Sequence, residues 1–228
     1  MGNKGNSRHI KRLSAPKYFR LNRKEEKFAT KPNPGRHTLN ESIALIAVVR
    51  DKLSIAKNSR EAKAVIHSGA IEVNGKAIRA VKYPVGLHDV LYIKSDDSCY
   101  VISPGHRGTF EIEKSSKEQA SSQAKKVIGK YKAKKGVILL RLHDGSAVSA
   151  EGSEAGVNDS VLLSNGKISK VIKFEKGGNC EVVRGIHAPQ SGKIVDIKPG
   201  TASRSALIEI SGGDGNFETV VENIMMVA

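Results

Sequence analysis

The sequence lacks the patterns that anchor a protein in a membrane, bind a metal or crosslink a secreted chain. It has no tryptophan, seven scattered histidines and two cysteines, Cys99 and Cys180. Cysteines so far apart predict neither a disulfide framework nor a zinc site, so we expect free buried thiols in a reducing compartment. No apolar run reaches the roughly 20 residues of a transmembrane helix, and the start MGNKGNSRHIKR has no apolar stretch typical of a signal peptide. We expect a cytoplasmic protein with no membrane partner and no metal.

Two stretches approach catalytic motifs without meeting them. Residues 69–76 read GAIEVNGK, in which the spacer between the glycines is one residue longer than a phosphate-binding loop allows, and alanine follows where that loop has serine or threonine. His143 and Asp144 are adjacent, but Asp-Gly after an apolar run is typical of a turn, and no nucleophile motif accompanies it. The sequence therefore predicts that the protein is not an enzyme and uses no cofactor or small-molecule substrate.

The chain does carry a large positive charge, and most of it lies near the amino terminus. The formal net charge of the 228 residues is +15, which favours a polyanionic partner. Residues 1–38 hold eleven Lys and Arg against two Glu, a net +9. Residues 39–94 carry +4, residues 95–170 carry +3 and residues 171–228 carry −1. We therefore expect RNA contacts mainly in the first 94 residues.

Residues 1–38, called the arm from here on, contain too few apolar residues to fold alone. The prolines favour extended backbone, and charge repulsion is expected to keep the arm unordered without a polyanion. Tyr18 and Phe19 lie among the cations, a combination suited to stacking on bases while Lys and Arg bind phosphates. A solubilising tail is the alternative. The arm residues assigned to RNA are Lys4, Arg8, Lys11, Arg12, Lys17, Arg20, Arg23, Lys24, Arg36 and His37.

Residues 39–94 are predicted to fold as helix, helix and hairpin. A broad apolar face over Asn40–Leu53, with Asn40 as N-cap, predicts the first helix, and a cap at Asn58 or Ser59 begins the second. Asn-Gly at 74–75 between alternating apolar residues predicts the hairpin. One side of the second helix carries a basic stripe that either binds RNA or is only a solvated face: Arg60, Lys63 and His67.

The remainder of the chain is predicted to be mainly strand. Val137–Leu142 is an apolar run that ends in a turn at 143–145, and Asn-Gly at 165–166 predicts a further hairpin. Residues 114–126 are predicted to be a polar helix or loop. Short strands with closely spaced turns indicate a small barrel, and in residues 178–197 two strands flank a glycine-bounded loop.

These segments resemble known families. The helices, the turn Ser68-Gly69 and the hairpin Val73-Asn74-Gly75-Lys76 resemble the S-four module, which lays its helices and hairpin turn on structured RNA. Residues 178–197 resemble a KOW motif in an SH3-like barrel. Over nearly its full length the chain resembles the small-subunit ribosomal protein S4e (S-four-e) family of archaea and eukaryotes. The stretches that carry this resemblance are 11–17, 23–27, 32–35 with His37, 83–87, 142–145 and 217–219.

Some positions depart from the pattern of that family. Arg36 and Ala44 stand where the family usually or often has proline, and the loop 185–192 lacks the usual Gly, Asn and Arg content. The different composition of the loop 185–192 weakens the transfer of an RNA-binding role from the family to this loop. The lack of a long carboxy-terminal extension is more typical of archaeal members.

The resemblance implies a structural constituent of the small ribosomal subunit that binds and stabilises folded ribosomal RNA beside neighbouring small-subunit proteins. It adds three RNA-binding residues to the arm and stripe: Ser68, Asn74 and Lys76. The implied fold is α+β and multidomain. It consists of the basic extended arm 1–38, an S-four-like module 39–94, a central β-rich domain 95–170 built as a small barrel, and a KOW barrel 171–228. The alternatives are an RNA-modifying enzyme with an S-four module and a KOW-type transcription-elongation factor.

Overall fold

The protein is described by a computed structural model that covers residues 7, 9–22, 24–116, 124–133, 136–150, 154–164, 166–213 and 215–227. It divides into two compact units, one of residues 1–102 with 112–114 and one of residues 103–111 with 115–228. In the described residues both units are rich in strands and poor in helix.

The first unit is built on a mixed set of short strands and two helices. Its main sheet has the strand order β5-β4-β7-β8-β9, and two further pairs are β1-β2 and β3-β6. The helices are α1 (Leu45–Ala47), which continues as a π-helical turn over Val48–Lys52, and α2 (Ser59–His67). Short 3-10 turns cover Arg12–Ser14, Lys17–Phe19 and Leu39–Glu41. The strands are β1 (Ile10–Lys11), β2 (Phe28–Ala29), β3 (Ser42–Ala44), β4 (Ile71–Val73), β5 (Lys76–Ala77), β6 (Pro84–Gly86), β7 (Val90–Ile93), β8 (Ser98–Pro104) and β9 (Phe110–Ser115).

The second helix and the hairpin of residues 39–94 are confirmed. Helix α2 begins after Asn58, whose side chain accepts from two backbone N–H groups of the first turn. Strands β4 and β5 pair across Asn74 and Gly75, which both have positive φ, +50° and +74°. This geometry belongs to the mirror-image type I turn that Asn-Gly favours, so local sequence alone decides both elements.

The first predicted helix is wrong over residues 40–44 and confirmed from Leu45 to Lys52. Residues 42–44 form strand β3, which pairs with β6 through Ile43 and Val85. The predicted cap Asn40 lies in a 3-10 turn, and the helix begins only at Leu45, whose N–H donates to the Tyr83 carbonyl at 2.9 Å. An apolar run suits either structure, and here pairing with a distant segment decides it.

The predicted division between residues 94 and 95 falls inside the main sheet of the first unit. Strands β7 and β8 pair in antiparallel register across it, with Ile93 opposite Ser98 and Val90 opposite Val101. The first unit therefore continues to Ile102. Buried apolar side chains from the helices and this sheet form its interior: Leu45, Ile46, Val48, Val49, Ile66, Ile71, Leu91 and Ile93.

The second unit contains two five-stranded sheets in its described residues, of strand order β12-β11-β10-β13-β14 and β18-β17-β16-β15-β19. Each sheet has its own cluster of buried apolar residues, one around Leu140 and Val161 and one around Ile194 and Ile208. Short 3-10 turns cover His106–Gly108 and Val221–Asn223. The strands are β10 (Ala124–Lys132), β11 (Ile138–Leu142), β12 (Ala147–Ser149), β13 (Ser160–Ser164), β14 (Lys167–Ile172), β15 (Asn179–Val182), β16 (Ser191–Lys198), β17 (Leu207–Gly212), β18 (Gly215–Val220) and β19 (Ile224–Met226).

Two predictions for this unit have clear outcomes. The turn at 143–145 is confirmed, because Asp144 is buried and accepts from Lys125 Nζ at 2.6 Å and from the Ser146 N–H at 2.9 Å. Its carboxylate is therefore committed to the turn. The prediction of a polar helix or loop over 114–126 is wrong at both ends, since 114–115 end β9 and 124–126 begin β10, while Ser116 lies outside any strand. Residues 117–123 lie outside the described residues.

Buried polar contacts join the two sheets of the second unit across the predicted division at residue 170. Asp159 accepts from the Phe174 N–H at 2.8 Å, and Ser160 Oγ accepts from the Met226 N–H at 3.1 Å. Lys126, only 8 % exposed, donates from Nζ to the carbonyls of Val221 at 2.6 Å and Ile224 at 2.8 Å. Because unpaired buried polar groups are costly, these contacts fix the two sheets to each other.

Both cysteines are buried, as expected from the sequence. Cys99 and Cys180 are not disulfide-bonded, and burial raises the pKa of the Cys180 thiol to about 11, which keeps it protonated and unreactive at neutral pH.

Within the described ranges, no helix is long and apolar enough to cross a bilayer.

Lys126 makes the stability of the second unit vary with pH in the alkaline range. Burial lowers the pKa of its amine from 10.5 to about 8, so between these values the unfolded chain binds more protons and the free energy of unfolding rises with pH. Relative to Lys126→Met, the parent protein is expected to gain on the order of 2 kcal/mol between pH 7 and pH 9.5. Urea unfolding of both proteins at the two pH values measures this gain. The same pH response in both would show that Lys126 does not titrate in this range.

Candidate nucleic-acid interface

Helix α2 presents the basic stripe predicted from the sequence. The Asn58 side chain caps the helix by accepting from the N–H groups of Arg60 and Glu61, both at 3.0 Å. Ala62 and Ile66 are fully buried and anchor the opposite side of the helix. The exposed side carries the three predicted residues: Arg60, Lys63 and His67. The helix thus holds hydrogen-bond donors at fixed spacing in solvent, without using them in its own packing.

The hairpin after α2 adds only part of what was predicted. Lys76 and Ser68 are exposed, although the Ser68 hydroxyl donates to the Val65 carbonyl at 2.8 Å. The Asn74 amide points into the protein, donating to Asp89 Oδ1 at 2.6 Å and accepting from the Val90 N–H at 3.0 Å. Asn74 therefore shapes the turn, and its side chain is already used within the protein.

Arg12 is also used within the protein. Its side chain is 2 % exposed, with Nε donating to the Asn22 carbonyl at 2.5 Å. The guanidinium lies 3.4 Å from Glu25, 3.1 Å from Glu26 and 3.9 Å from Asp51. A buried cation needs negative charge beside it, and a phosphate cannot reach Arg12 without displacing these carboxylates. The expectation that the arm stays unordered without a polyanion is therefore wrong around Arg12, because these carboxylates supply the negative charge.

His37 makes the second buried attachment of the arm. Its Nε2 lies 2.9 Å from Asp89 Oδ2, and both side chains are almost fully buried. The ring packs directly on Gly86, where an added Cβ would lie 2.5 Å from Nδ1. His37 thus occupies a space that only glycine leaves open, and it faces Asp89 rather than solvent.

Asp89 collects donors from three segments. Besides His37 and Asn74, the Gly86 N–H donates to Oδ2 at 2.9 Å. Burial alone acts to raise the pKa of the Asp89 carboxyl, but the hydrogen bond and charge of His37, helped by Gly86 and Asn74, outweigh it and lower the pKa. The carboxylate is therefore ionised at neutral pH and holds the arm, the hairpin turn and strand β7 together.

Most of the other described cations of the arm are exposed. Lys11, Lys17, Arg20 and Lys24 are exposed, and Arg36 is partly buried. The other arm residues assigned to RNA lie outside the described residues: Lys4, Arg8 and Arg23.

Sequence reasoning missed Arg79. It is exposed, and its Nε lies against the end of α2, 3.5 Å from where a Cβ at Gly69 would be. After the hairpin turn the chain runs back toward the end of α2, and the Ile78 N–H donates to the Ile71 carbonyl at 3.0 Å. Its position just after the hairpin was the sequence signal that could have identified Arg79 as a candidate. This position places a further cation beside the stripe.

A polar cleft of about 520 Å³ separates the arm from the start of α2. Two of its cations, Arg12 and Arg50, are matched by carboxylates, since Arg50 donates to Asp51 at 2.6 and 3.0 Å and to Glu26 at 3.3 Å. The hydrogen bond to Asp51 is the main reason that the pKa of Arg50 is raised, against the opposing effect of burial. These two guanidinium groups are thus already neutralised within the protein, which makes the exposed stripe the better phosphate site.

Comparison with known proteins places the chain in a family. The profile of the ribosomal family S4e matches residues 96–168, and that of the RS4NT (NUC023) domain matches residues 4–40. The small ribosomal subunit protein eS4 of Methanococcus maripaludis (strain C5) is 35 % identical over 238 residues, covering 100 % of this chain and 96 % of that protein. The chain belongs to the ribosomal S4e family.

Other members agree with this assignment. The small ribosomal subunit protein eS4 of Methanosphaera stadtmanae is 32 % identical over 229 residues, which cover 100 % of this chain and 95 % of that protein. The crystal structure of the 30S ribosomal protein S4e from Thermoplasma acidophilum is 29 % identical and superposes with a TM-score of 0.70, over 82 % of this chain and 95 % of that one. The strand-rich arrangement of several sheets is therefore the S4e fold. S4e proteins are structural ribosomal proteins, so this chain is not an enzyme.

The ionised Asp89 predicts an acid-sensitive first unit. Asp89→Asn removes a buried charge partner, which costs about 3–5 kcal/mol of stability. Since the folded pKa is lowered from 3.8, this contribution is complete above pH 3.8 and is lost as pH falls through the lower folded value. Thermal unfolding from pH 7 to pH 3 measures the difference between variant and parent.

Asp96→Asn is the matched control for that experiment, because Asp96 is exposed in the turn after β7. Its stability is expected to lie within about 0.5 kcal/mol of the parent. Equal effects of the two substitutions would show that the buried network around Asp89 does not hold the unit together.

Proposed function

We propose that this S4e protein is a structural constituent of the small ribosomal subunit that binds and stabilises folded ribosomal RNA, beside neighbouring small-subunit proteins in the cytoplasm. The observation that carries the RNA-binding part is the exposed stripe of α2, fixed by a capped and anchored helix. Rigid cations bind phosphates with less loss of side-chain and backbone freedom than a flexible tail would. The names of the relatives support the ribosomal role.

We infer that residues 39–102 act as the S-four-like RNA-binding module. Its support is the succession of α1, α2 and the β4-β5 hairpin, with cations on the outer side of α2 and next to the turn. The first helix is shorter than predicted, so α2 and the hairpin carry the proposal. The residues proposed to contact RNA here are Arg60, Lys63, His67, Ser68, Lys76 and Arg79.

The arm is proposed to contribute its exposed cations, while its buried residues position it. Arg12 and His37 fix the arm through carboxylates, and the other cations are proposed to face RNA from the surface of the arm. Asn74 has the same positioning role for the hairpin. The arm residues that remain proposed RNA contacts are Lys4, Arg8, Lys11, Lys17, Arg20, Arg23, Lys24 and Arg36.

The second unit is proposed to hold a central small barrel and a KOW-like barrel. Strands β15 and β16 pair with Cys180 opposite Gly192, so they flank the glycine-bounded loop as a KOW motif requires. Residues 171–228 have a net charge of −1, which gives them no overall attraction for phosphates. We propose that the RNA contacts of this part are limited to Arg184, Lys193 and the loop 185–192.

The stripe is expected to matter for affinity and not for folding. Arg60→Ala and Lys63→Ala remove donors that touch no core atom, so each is expected to weaken binding to small-subunit ribosomal RNA roughly tenfold, the value of one charge-assisted hydrogen bond of about 1.5 kcal/mol. The melting temperature is expected to stay within a few degrees of the parent. Filter binding and thermal unfolding measure the two effects.

Lys173→Ala is the matched control, since it removes one exposed lysine, not proposed to contact RNA, from the part of the chain with net negative charge. It is expected to weaken binding less than Lys63→Ala. Equal losses of RNA affinity at the two positions would show that the charge distribution does not identify the RNA-binding side. Parallel losses of stability and affinity in the stripe variants would show that the stripe residues act in folding.

Salt dependence tests the electrostatic part of the proposal. With roughly six to ten phosphates neutralised, affinity is expected to fall about 10³- to 10⁵-fold between 50 and 200 mM salt. Deleting the arm is a poor test because it would also remove the buried Arg12 and His37. The triple variant Lys11→Gln, Lys17→Gln and Lys24→Gln avoids this, and its salt slope is expected to fall by roughly 0.9 for each phosphate that it no longer neutralises.

A second triple variant with the same change in net charge is the control: Lys173→Gln, Lys176→Gln and Lys198→Gln. These lysines are exposed in the last part of the chain, so they are expected to leave the slope almost unchanged. If both variants lowered the slope equally, only the total charge would matter and the arm would have no specific role.

A further inference from the structure

The outer face of strands β10, β11 and β12 is an unassigned surface of the second unit. The register places Gly129, Arg141 and Ala147 in one row across the three strands, and Tyr131, Leu139 and Ser149 in the next row. Residues two apart on a strand share a face, so both rows lie on the same side of the sheet. We call these six residues the platform.

Tyr131 and Arg141 are the two large exposed side chains of the platform. Tyr131 is 46 % exposed, and Arg141, Ala147 and Ser149 are exposed as well. The Arg141 guanidinium lies over Gly129, with Nη2 and Nε at 3.8 and 3.9 Å from where a Cβ at that glycine would be. Because glycine has no side chain, the guanidinium can lie close to the sheet, one row away from Tyr131 on the same face.

The charge of this surface is suited to an anion. Neither row of the platform contains a carboxylate, and Arg141 supplies its positive charge. Strand β10 also carries exposed Lys130 and Lys132 on either side of Tyr131 in sequence. Register places Lys132 opposite Ile138, on the other face of the sheet. These lysines therefore raise the local positive potential without covering the ring.

We propose that the platform binds a single-stranded segment of RNA, with an unpaired base stacked on Tyr131 and the neighbouring phosphate bound by Arg141. This rests on the proposed RNA-binding function and adds a site outside the arm and the S-four-like module. An exposed aromatic ring beside a guanidinium is the arrangement that single-strand binders use, since every base has a face that stacks. The small side chains of Gly129, Ala147 and Ser149 give a flat nucleotide room to approach.

A protein neighbour is a weaker fit to the same surface. Leu139 is half-buried, so Tyr131 is the one large exposed ring in the two rows, and stable protein interfaces centre on a cluster of buried anchors. An isolated ring next to a cation, without such a cluster, favours a flat ligand with its own negative charge.

A tryptophan placed at position 131 reports directly on stacking. The chain has no tryptophan, so the fluorescence of Tyr131→Trp arises from this position alone. Titration of the full-length variant with a mixed-sequence 12-nucleotide single-stranded RNA at 50 mM salt is expected to give saturable quenching. A blunt-ended RNA duplex with the same number of phosphates is expected to quench far less, because its bases are paired and already stacked on one another.

Affinity variants test the same site independently. For the single-stranded RNA, Tyr131→Ala is expected to weaken binding about tenfold and Tyr131→Phe less than twofold, as the ring and not the hydroxyl makes the stack. Ile138→Ala is the matched control, because Ile138 is 43 % exposed on the neighbouring strand but on the opposite face. The affinity of Arg141→Ala for the single-stranded RNA is compared with that of Lys132→Ala, which removes the same charge at a position away from the platform.

The outcomes separate this inference from the proposed function. If the parent protein binds ribosomal RNA but Tyr131→Trp shows no quenching and Tyr131→Ala binds as the parent does, the platform is overturned and the proposed function stands. If the parent fails to bind ribosomal RNA at all, the proposed function fails. Unchanged RNA affinity of Tyr131→Ala together with loss of its incorporation into small subunits would assign the surface to a protein neighbour and also overturn the inference.

Discussion

The buried carboxylate of Asp89 is the constraint on which the first unit depends. A carboxylate without solvent needs donors, and here they come from His37 in the arm, Asn74 in the hairpin turn and the Gly86 backbone. Each donor lies on a different segment, so satisfying one charge fixes three segments at once. Arg12 acts in the complementary sense, as a buried cation surrounded by Glu25, Glu26 and Asp51. The buried charges thus set the backbone positions from which the exposed cations of the first unit project.

Local interactions explain which elements the sequence predicted correctly. Asn58 caps α2 within its own turn, and Asn-Gly selects the β4-β5 hairpin, so both can be derived from a few neighbouring residues. Strand β3 could not be derived in this way, because Ile43 is extended only through pairing with Val85, more than forty positions away. The same limit applies to the divisions at 94 and 170, which pairing and buried polar contacts cross.

The candidate site shows a similar limit for side chains. Arg12 and His37 were assigned to RNA because they lie in the basic arm, and Asn74 because its turn resembles that of the S-four module, neither of which shows what a side chain contacts. Their actual partners are carboxylates brought near by folding, and the adjacent pair Glu25-Glu26 in a segment otherwise free of acid was the one visible sign. The sequence predicted correctly that Arg60 and Lys63 are exposed, because helical spacing places them opposite the apolar Ala62 and Ile66.

The two proposed RNA-binding surfaces differ physically, since one would act through charge and the other through stacking. The exposed cations of the arm and α2 would act at long range and release counterions, so they would speed association but lose strength as salt rises. A ring such as Tyr131 would act only at contact and be nearly indifferent to salt, so it would retain a strand that charge has already brought close. Buried Arg12 and Lys126 contribute to neither, although they count toward the net charge of +15. Net charge therefore overstates the phosphate-binding capacity of such a chain, which is set by the cations that are exposed and have no carboxylate at hydrogen-bond distance.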